Sequence, residues 1–285
     1  MNSDCNNGLT QQLLWQWKAQ KDTEREELFA DGLSDTDAEG YWCARLPWYP
    51  DGCFGPYRSS EEGYSRRELA VDGAIHVVGI LFGICGTAAL LANSVVHQPP
   101  LEITISLVVY CVSFLTMLVS SATFHFLAWS KHIWALQLAD HLGILLLIAG
   151  TYTPMMTIAC CPRMLVFVWI LAVISTAAKA SRSKLDVVAL HVPCFLLMGW
   201  CCLMIWRDVS AVLTLWARHL MELGGILYSA GLIPWATNKL EFHNAIWHAC
   251  VLAASACFFV ILHCEVSQPS NWKAVASGTC QGRLL

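Results

Sequence analysis

Histidine, aspartate and serine side chains occur inside stretches that otherwise read as hydrocarbon. His125 ends one apolar run, Asp140 and His141 fall early in the next, His191 falls early in a later one, and His243 and His248 open the last. Placing an ionisable group in a bilayer costs about 2.5–3.5 kcal/mol even on the mildest scale, so such residues are functional by default. Imidazole nitrogen and carboxylate oxygen are zinc ligands, and a catalytic zinc keeps three protein ligands and one water. Two or three of the histidines can supply the ligands. Asp140 can ligate directly, or hold the water and take its proton. Ser121 and His125 are four residues apart, so both project from one helix face. Ser121 can orient a ligand or steer a polarised carbonyl. A single intramembrane histidine often only hydrogen-bonds a neighbouring helix, and His141 and His191 fit that role. His76 and His132, at helix starts, are expected to be interfacial and solvated. The combination of His125, Asp140 and His248 points to a metal or proton site.

These residues need elements that bring them to one depth. From Asp72 onward the chain carries seven apolar segments, near 73–96, 102–127, 133–157, 163–180, 186–206, 212–237 and 242–264. Each is close to the ~20 residues that span a bilayer. The expectation is an all-α membrane protein, a seven-transmembrane helix bundle of the multi-pass kind. With the N-terminus in the cytosol, the inner segments hold Arg66, Arg67, Lys131, Lys179, Arg182, Lys184 and Lys239, against Arg163, Arg207, Arg218, Lys273 and Arg283 outside. That bias favours a cytosolic N-terminus and a C-terminus on the opposite side. In this topology His125 lies at the inner end of its helix. Asp140, His141, His191, His243 and His248 all lie within the first two turns of rising helices. His97, His219 and His263 fall at the outer face.

Composition agrees. Hydrophobic residues make up 56% and charged residues 13% of the 285, too apolar for an ordinary soluble protein. The first 69 residues hold 20 of the 38 Asp, Glu, Lys and Arg side chains. The chain therefore divides into a polar, flexible cytosolic region over 1–69, a membrane domain over 70–265 and a short C-terminal tail over 266–285. The lack of an apolar core in the first 30 residues argues against a cleavable signal peptide. Two amphipathic possibilities lie in the first region, over 10–30 and around Trp42, Trp48 and Tyr49. A net charge of −4 argues against nucleic acid as a partner. The 14 cysteines lack a Cys-x-x-Cys, which disfavours a thiolate metal site or a disulfide scaffold.

Several motifs carry a family resemblance. SATFH (Ser121 to His125), ADHLGILLLIAGTYTP (Ala139 to Pro154), LMGW (Leu197 to Trp200), GGILYSAG (Gly224 to Gly231) and HNAIWHACVLAASAC (His243 to Cys257) resemble the hemolysin-III and progestin/adipoQ receptor (PAQR) family. ELAVDGAIHVVG (Glu68 to Gly79) resembles the start of that family's first helix. The resemblance implies seven helices, a cytosolic N-terminus and kinship with alkaline ceramidases. It also implies a Zn2+ site near the cytosolic face, with His125 and His248 as ligands, Asp140 holding the zinc-bound water and Ser121 supporting the site. The first histidine of the family's His-x-x-x-His falls on Asn244 here. His243 is one residue off, and in a regular helix 243 and 248 are about 140° apart around the axis, against about 40° for an i,i+4 pair. A π-bulge near the helix start would bring them together. Otherwise the third ligand falls to Asn244, His191 or Asp140, or is missing.

Three functions fit this pattern. One is a zinc-dependent hydrolase of a lipid amide such as a ceramide, its site open to bilayer and cytosol. Another is a receptor or membrane regulator with structural zinc and a lipophilic ligand, in which the N-terminal region, Trp15 and Trp17 included, binds a cytosolic partner. A pore or lytic protein ranks last, because the outer helix halves are almost wholly apolar and a conducting path needs polar residues through the full depth.

Overall fold

The computed structural model describes residues 65–127, 132–181, 188–236, 240–277 and 280. The expectations for the N-terminal region, and for Lys131, Arg182, Lys184, Lys239 and Arg283, lie outside the described residues. Every regular element among the described residues is helical: α1 (Arg66–His97), α2 (Leu101–Phe126), α3 (Ile133–Ile158), α4 (Pro162–Ala180), α5 (Val188–Trp200), α6 (Trp206–Val212), α7 (Leu215–Ala236), α8 (His243–Ile261) and α9 (Lys273–Ala276). A 3-10 turn over Cys201–Ile205 joins α5 to α6, and a π turn over Leu262–Val266 extends α8.

Six stretches are long and apolar enough to cross a bilayer: Arg67–His97, Leu101–Phe126, Trp134–Ile158, Pro162–Ala180, His191–Val212 and His243–Val266. The segment expected over 212–237 forms α7. It carries Arg218, His219 and Glu222 in its first two turns and is not among the six. Apolar side chains face outward, with Val112 at 60% exposure and Ile233 at 67%. Water would make such a surface unfavourable, whereas lipid accepts it.

The packing order decides where the polar residues meet. α1 lies against α2 and α8, α2 against α3, α3 against α4, and α7 against α8. The α2–α3 approach is set by small residues. A Cβ on Gly143 would stand 2.9 Å from Met117 Cα and 2.5 Å from Ser120 Oγ, and one on Gly150 would stand 2.5 Å from Ser113 Cβ. Gly143 and Gly150 are seven apart, two helical turns, so they form one glycine seam for α2. Asp140 is one turn before Gly143 and so faces α2 beside Ser121.

α5 stops being α-helical at Trp200, and the groups freed there are satisfied from α3. Tyr152 Oη donates to the Gly199 carbonyl at 3.0 Å and accepts from Cys202 N at 3.0 Å. At the far end, Cys160 after α3 is disulfide-bonded to Cys280. Trp272 is buried there, its indole N–H donating to the Val266 carbonyl at 2.7 Å. Part of the segment after 266 is thus packed onto the bundle.

Candidate metal centre

The site begins with a helix cap. Ser65 and Glu68 form a capping box on α1, with Glu68 N to Ser65 Oγ at 3.2 Å and Ser65 N to Glu68 Oε2 at 2.8 Å. Such reciprocal bonds satisfy the orphan amides of a helix start. The other oxygen of the same carboxylate accepts from the backbone N–H of Phe242 at 3.1 Å. Phe242 has φ 59° and is the residue from which α8 departs. One buried glutamate therefore fixes the start of α1 against the start of α8, which places Asp72 and His76 alongside His248.

Asp72, His76 and His248 form a group that could hold a metal ion, with one ligand atom from each all within 4.8 Å of one another. Asp72 and His76 are four apart and share a helix face. His248 Nδ1 lies 2.6 Å from Asp72 Oδ1. His76 Nδ1 donates to the Asp72 carbonyl at 2.9 Å, and its Nε2 lies 3.4 Å from Ser121 Oγ. His125 completes a ring of three imidazoles. The centroids are 4.4 Å apart for His76 and His248, 4.5 Å for His125 and His248, and 5.5 Å for His76 and His125. Ser121 and Asp140 stand side by side in the wall of the same small pocket, on α2 and α3.

A pocket of about 50 Å³ opens onto this cluster, with His76, Ser121, Asp140 and His248 in its wall. Next to it lies an apolar cavity of about 130 Å³ between α3, α5, α7 and α8. Met117, Ile144, Trp247 and Val251 line both. Whether the residues suit a cation is answered by their unmet needs. His125 Nδ1 is buried without a hydrogen-bond partner among the described residues. Leaving such an atom unsatisfied costs about 1–3 kcal/mol. Three imidazoles and carboxylates supply the nitrogen and oxygen donors that a zinc-type ion takes, so the residues fit.

The structure places the sequence-derived candidates in three groups. His125, His248, Ser121 and Asp140 come together in the cluster. His243 is buried, but its Nδ1 lies 3.1 Å from the Leu240 carbonyl and it is not in the metal-holding group; α8 opens as a regular α-helix with its π turn at the opposite end. Asn244 is buried in the same turn. His191 joins a second buried group instead, with its ring 4.5 Å from that of His141 and its Nδ1 3.4 Å from Ser175 Oγ. One residue departs from expectation. His76 is only 5% exposed, not solvated, because α8 covers the start of α1. Lys179, counted among the inner basic residues, is buried at the end of α4. Asp72 was missed altogether, although its i,i+4 spacing to His76 in an apolar helix was a readable ligand signal.

The haemolysin-III related family matches residues 65–259, which include every member of the cluster. The chain belongs to this family. It is 32% identical over 209 residues to the hemolysin-3 homolog of Bacillus subtilis (strain 168), covering 70% of this chain and 96% of that protein. It is 30% identical over 200 residues to hemolysin-3 of Bacillus cereus, covering 69% of this chain and 90% of that one. As a haemolysin-III family member with six bilayer-length helices, it is a multi-pass integral membrane protein. The PAQR-type resemblance read from its motifs is to this same family.

Proposed function

We propose that the pocket holds a zinc-type divalent cation and that the protein hydrolyses a lipid amide such as a ceramide. The observation that carries this reading is the pairing of two spaces with common walls. A small polar pocket with histidines and an aspartate adjoins a larger apolar cavity, the shape that suits a polar head joined to a hydrocarbon tail.

When bound, the cation supplies Lewis acidity and eases the deprotonation of water. The chain's own residues do the rest. Asp140 accepts the proton on a carboxylate oxygen and returns it to the departing amine nitrogen. Ser121, beside Asp140 in the pocket wall, orients the carboxylate through its hydroxyl. Met117, Ile144 and Trp247 keep bulk water from the tail. Turnover of a fluorescent ceramide by the protein in lipid nanodiscs tests this: Asp140→Asn should lower the rate by roughly 10²–10⁴, and an unchanged rate would sink it.

A receptor or regulator with a structural cation is the second reading. The direct Asp72–His248 contact and the His76–Ser121 contact favour it, since they knit α1, α2 and α8 without any substrate. Bound metal with no turnover on a ceramide panel would select it. The name hemolysin belongs to the relatives; a lytic pore draws little support from a cavity walled largely by methionine, leucine and aromatic side chains. For topology, we take α7 as a seventh span, with the N-terminal region in the cytosol, where it offers a partner surface. The Cys160–Cys280 disulfide supports that orientation. It lies at the end of α3 away from Asp140, and disulfides persist outside the reducing cytosol.

A further inference from the structure

We infer that the cation's protein ligands in this chain are the imidazoles of His76, His125 and His248, and that Asp72 is a positioning residue that aims two of them. This rests on the metal reading above and assigns its first coordination sphere.

The argument is geometric. A tetrahedral zinc roughly 2.0–2.1 Å from each ligating nitrogen sets the ring centroids about 5 Å apart. The three pairs here stand at 4.4, 4.5 and 5.5 Å. In two of the rings Nδ1 is already committed, and both commitments are to Asp72. His76 Nδ1 must donate to the Asp72 carbonyl, because a carbonyl can only accept. His248 Nδ1 faces the Asp72 carboxylate at 2.6 Å. Those bonds fix the tautomers and turn Nε2 of each ring away from Asp72, the arrangement by which a carboxylate or carbonyl orients metal-bound histidines. Among the described residues the His76 Nε2 is met only by Ser121 Oγ at 3.4 Å, a long contact that a cation would replace. His125 has the opposite condition, a buried Nδ1 with no partner among the described residues. Direct ligation by Asp72, which has a ligand atom within 4.8 Å of those of His76 and His248, is the competing arrangement. The second Asp72 oxygen stands 3.8 Å from His76 Nδ1, so the carboxylate is seated against the outer sides of both rings.

The assignment explains how the chain tolerates Asn244 in place of a histidine. The missing imidazole of α8 is replaced by one from α1, and the Glu68–Phe242 tie holds the two helices in register for it.

X-ray absorption at the metal edge of the purified wild-type protein, loaded with zinc, counts imidazole ligands without any substitution. Three imidazoles are expected. Two imidazoles with a carboxylate would overturn the assignment while leaving the metal reading standing, whereas a protein that takes up no metal overturns both. Cobalt(II) binding, followed by its visible absorption, reads the roles separately. Asp72→Asn keeps an acceptor for His248 Nδ1–H and should retain the spectrum with about 10–100-fold weaker affinity. His76→Ala and His125→Ala should lose it while eluting as wild type in detergent. Loss of the spectrum in Asp72→Asn beside an unchanged His125→Ala would refute the inference.

Discussion

Gly143→Ala tests how the α2–α3 seam positions the site. The added methyl would sit 2.9 Å from Met117 Cα and 2.5 Å from Ser120 Oγ. Ser120 can rotate away, but Met117 Cα is backbone, so the helices must part by several tenths of an ångström to restore ordinary contact. Overpacking of this kind costs about 1–3 kcal/mol. For a domain of this size that lowers Tm by roughly 2–10 °C. The same displacement separates Ser121 on α2 from Asp140 on α3, so turnover should fall further than stability alone explains. Gly199→Ala is the control for stability alone: its Cβ would meet nothing within 4 Å, although it faces the apolar cavity. Thermal melts in detergent, read by intrinsic fluorescence, beside metal content and turnover of the fluorescent ceramide, measure both effects. If Gly143→Ala melts with wild type and keeps full metal and activity, the seam does not set the site.

Other perturbations have equally definite outcomes. Glu68→Ala removes the acceptor for both Ser65 N and Phe242 N; a loss of about 1–3 kcal/mol and weaker metal binding are expected in melts and metal titrations. Tyr152→Phe strips the Gly199 carbonyl and Cys202 amide of their partner, and a similar loss of about 1–3 kcal/mol, with metal content unchanged, should appear in the same assay. Cys280→Ser should abolish a reductant-dependent thiol-labelling difference at Cys160, detected by mass spectrometry; labelling of wild-type Cys160 without reductant would contradict the bond.

The chain's helices were legible because hydrocarbon runs of bilayer length have few other fates, and six of them reach the required apolarity. α7 was the exception, since Arg218, His219 and Glu222 dilute its start. His125, Asp140 and His248 stood out because a polar group in an apolar run is conspicuous by itself. For His76 and Asp72 the i,i+4 spacing was readable, but their burial was not. They lie at the beginning of α1, where solvent is the default surrounding, and the packing of α2 and α8 against that end buries them, with the Glu68–Phe242 bond between residues 174 apart tying the two helix starts. Sequence periodicity carries no information about such a contact. His243, by contrast, behaves as helix geometry requires: in a regular helix it points about 140° away from His248, α8 opens regularly, and His243 meets the Leu240 carbonyl instead.

Metal content per mole of purified chain, measured by inductively coupled plasma mass spectrometry after chelator treatment and zinc reloading, tests the central claim most directly. One zinc per wild-type chain and none in folded His248→Ala are expected. A metal-free wild type, or a variant that retains zinc at full occupancy, would contradict a cation held between α1, α2 and α8.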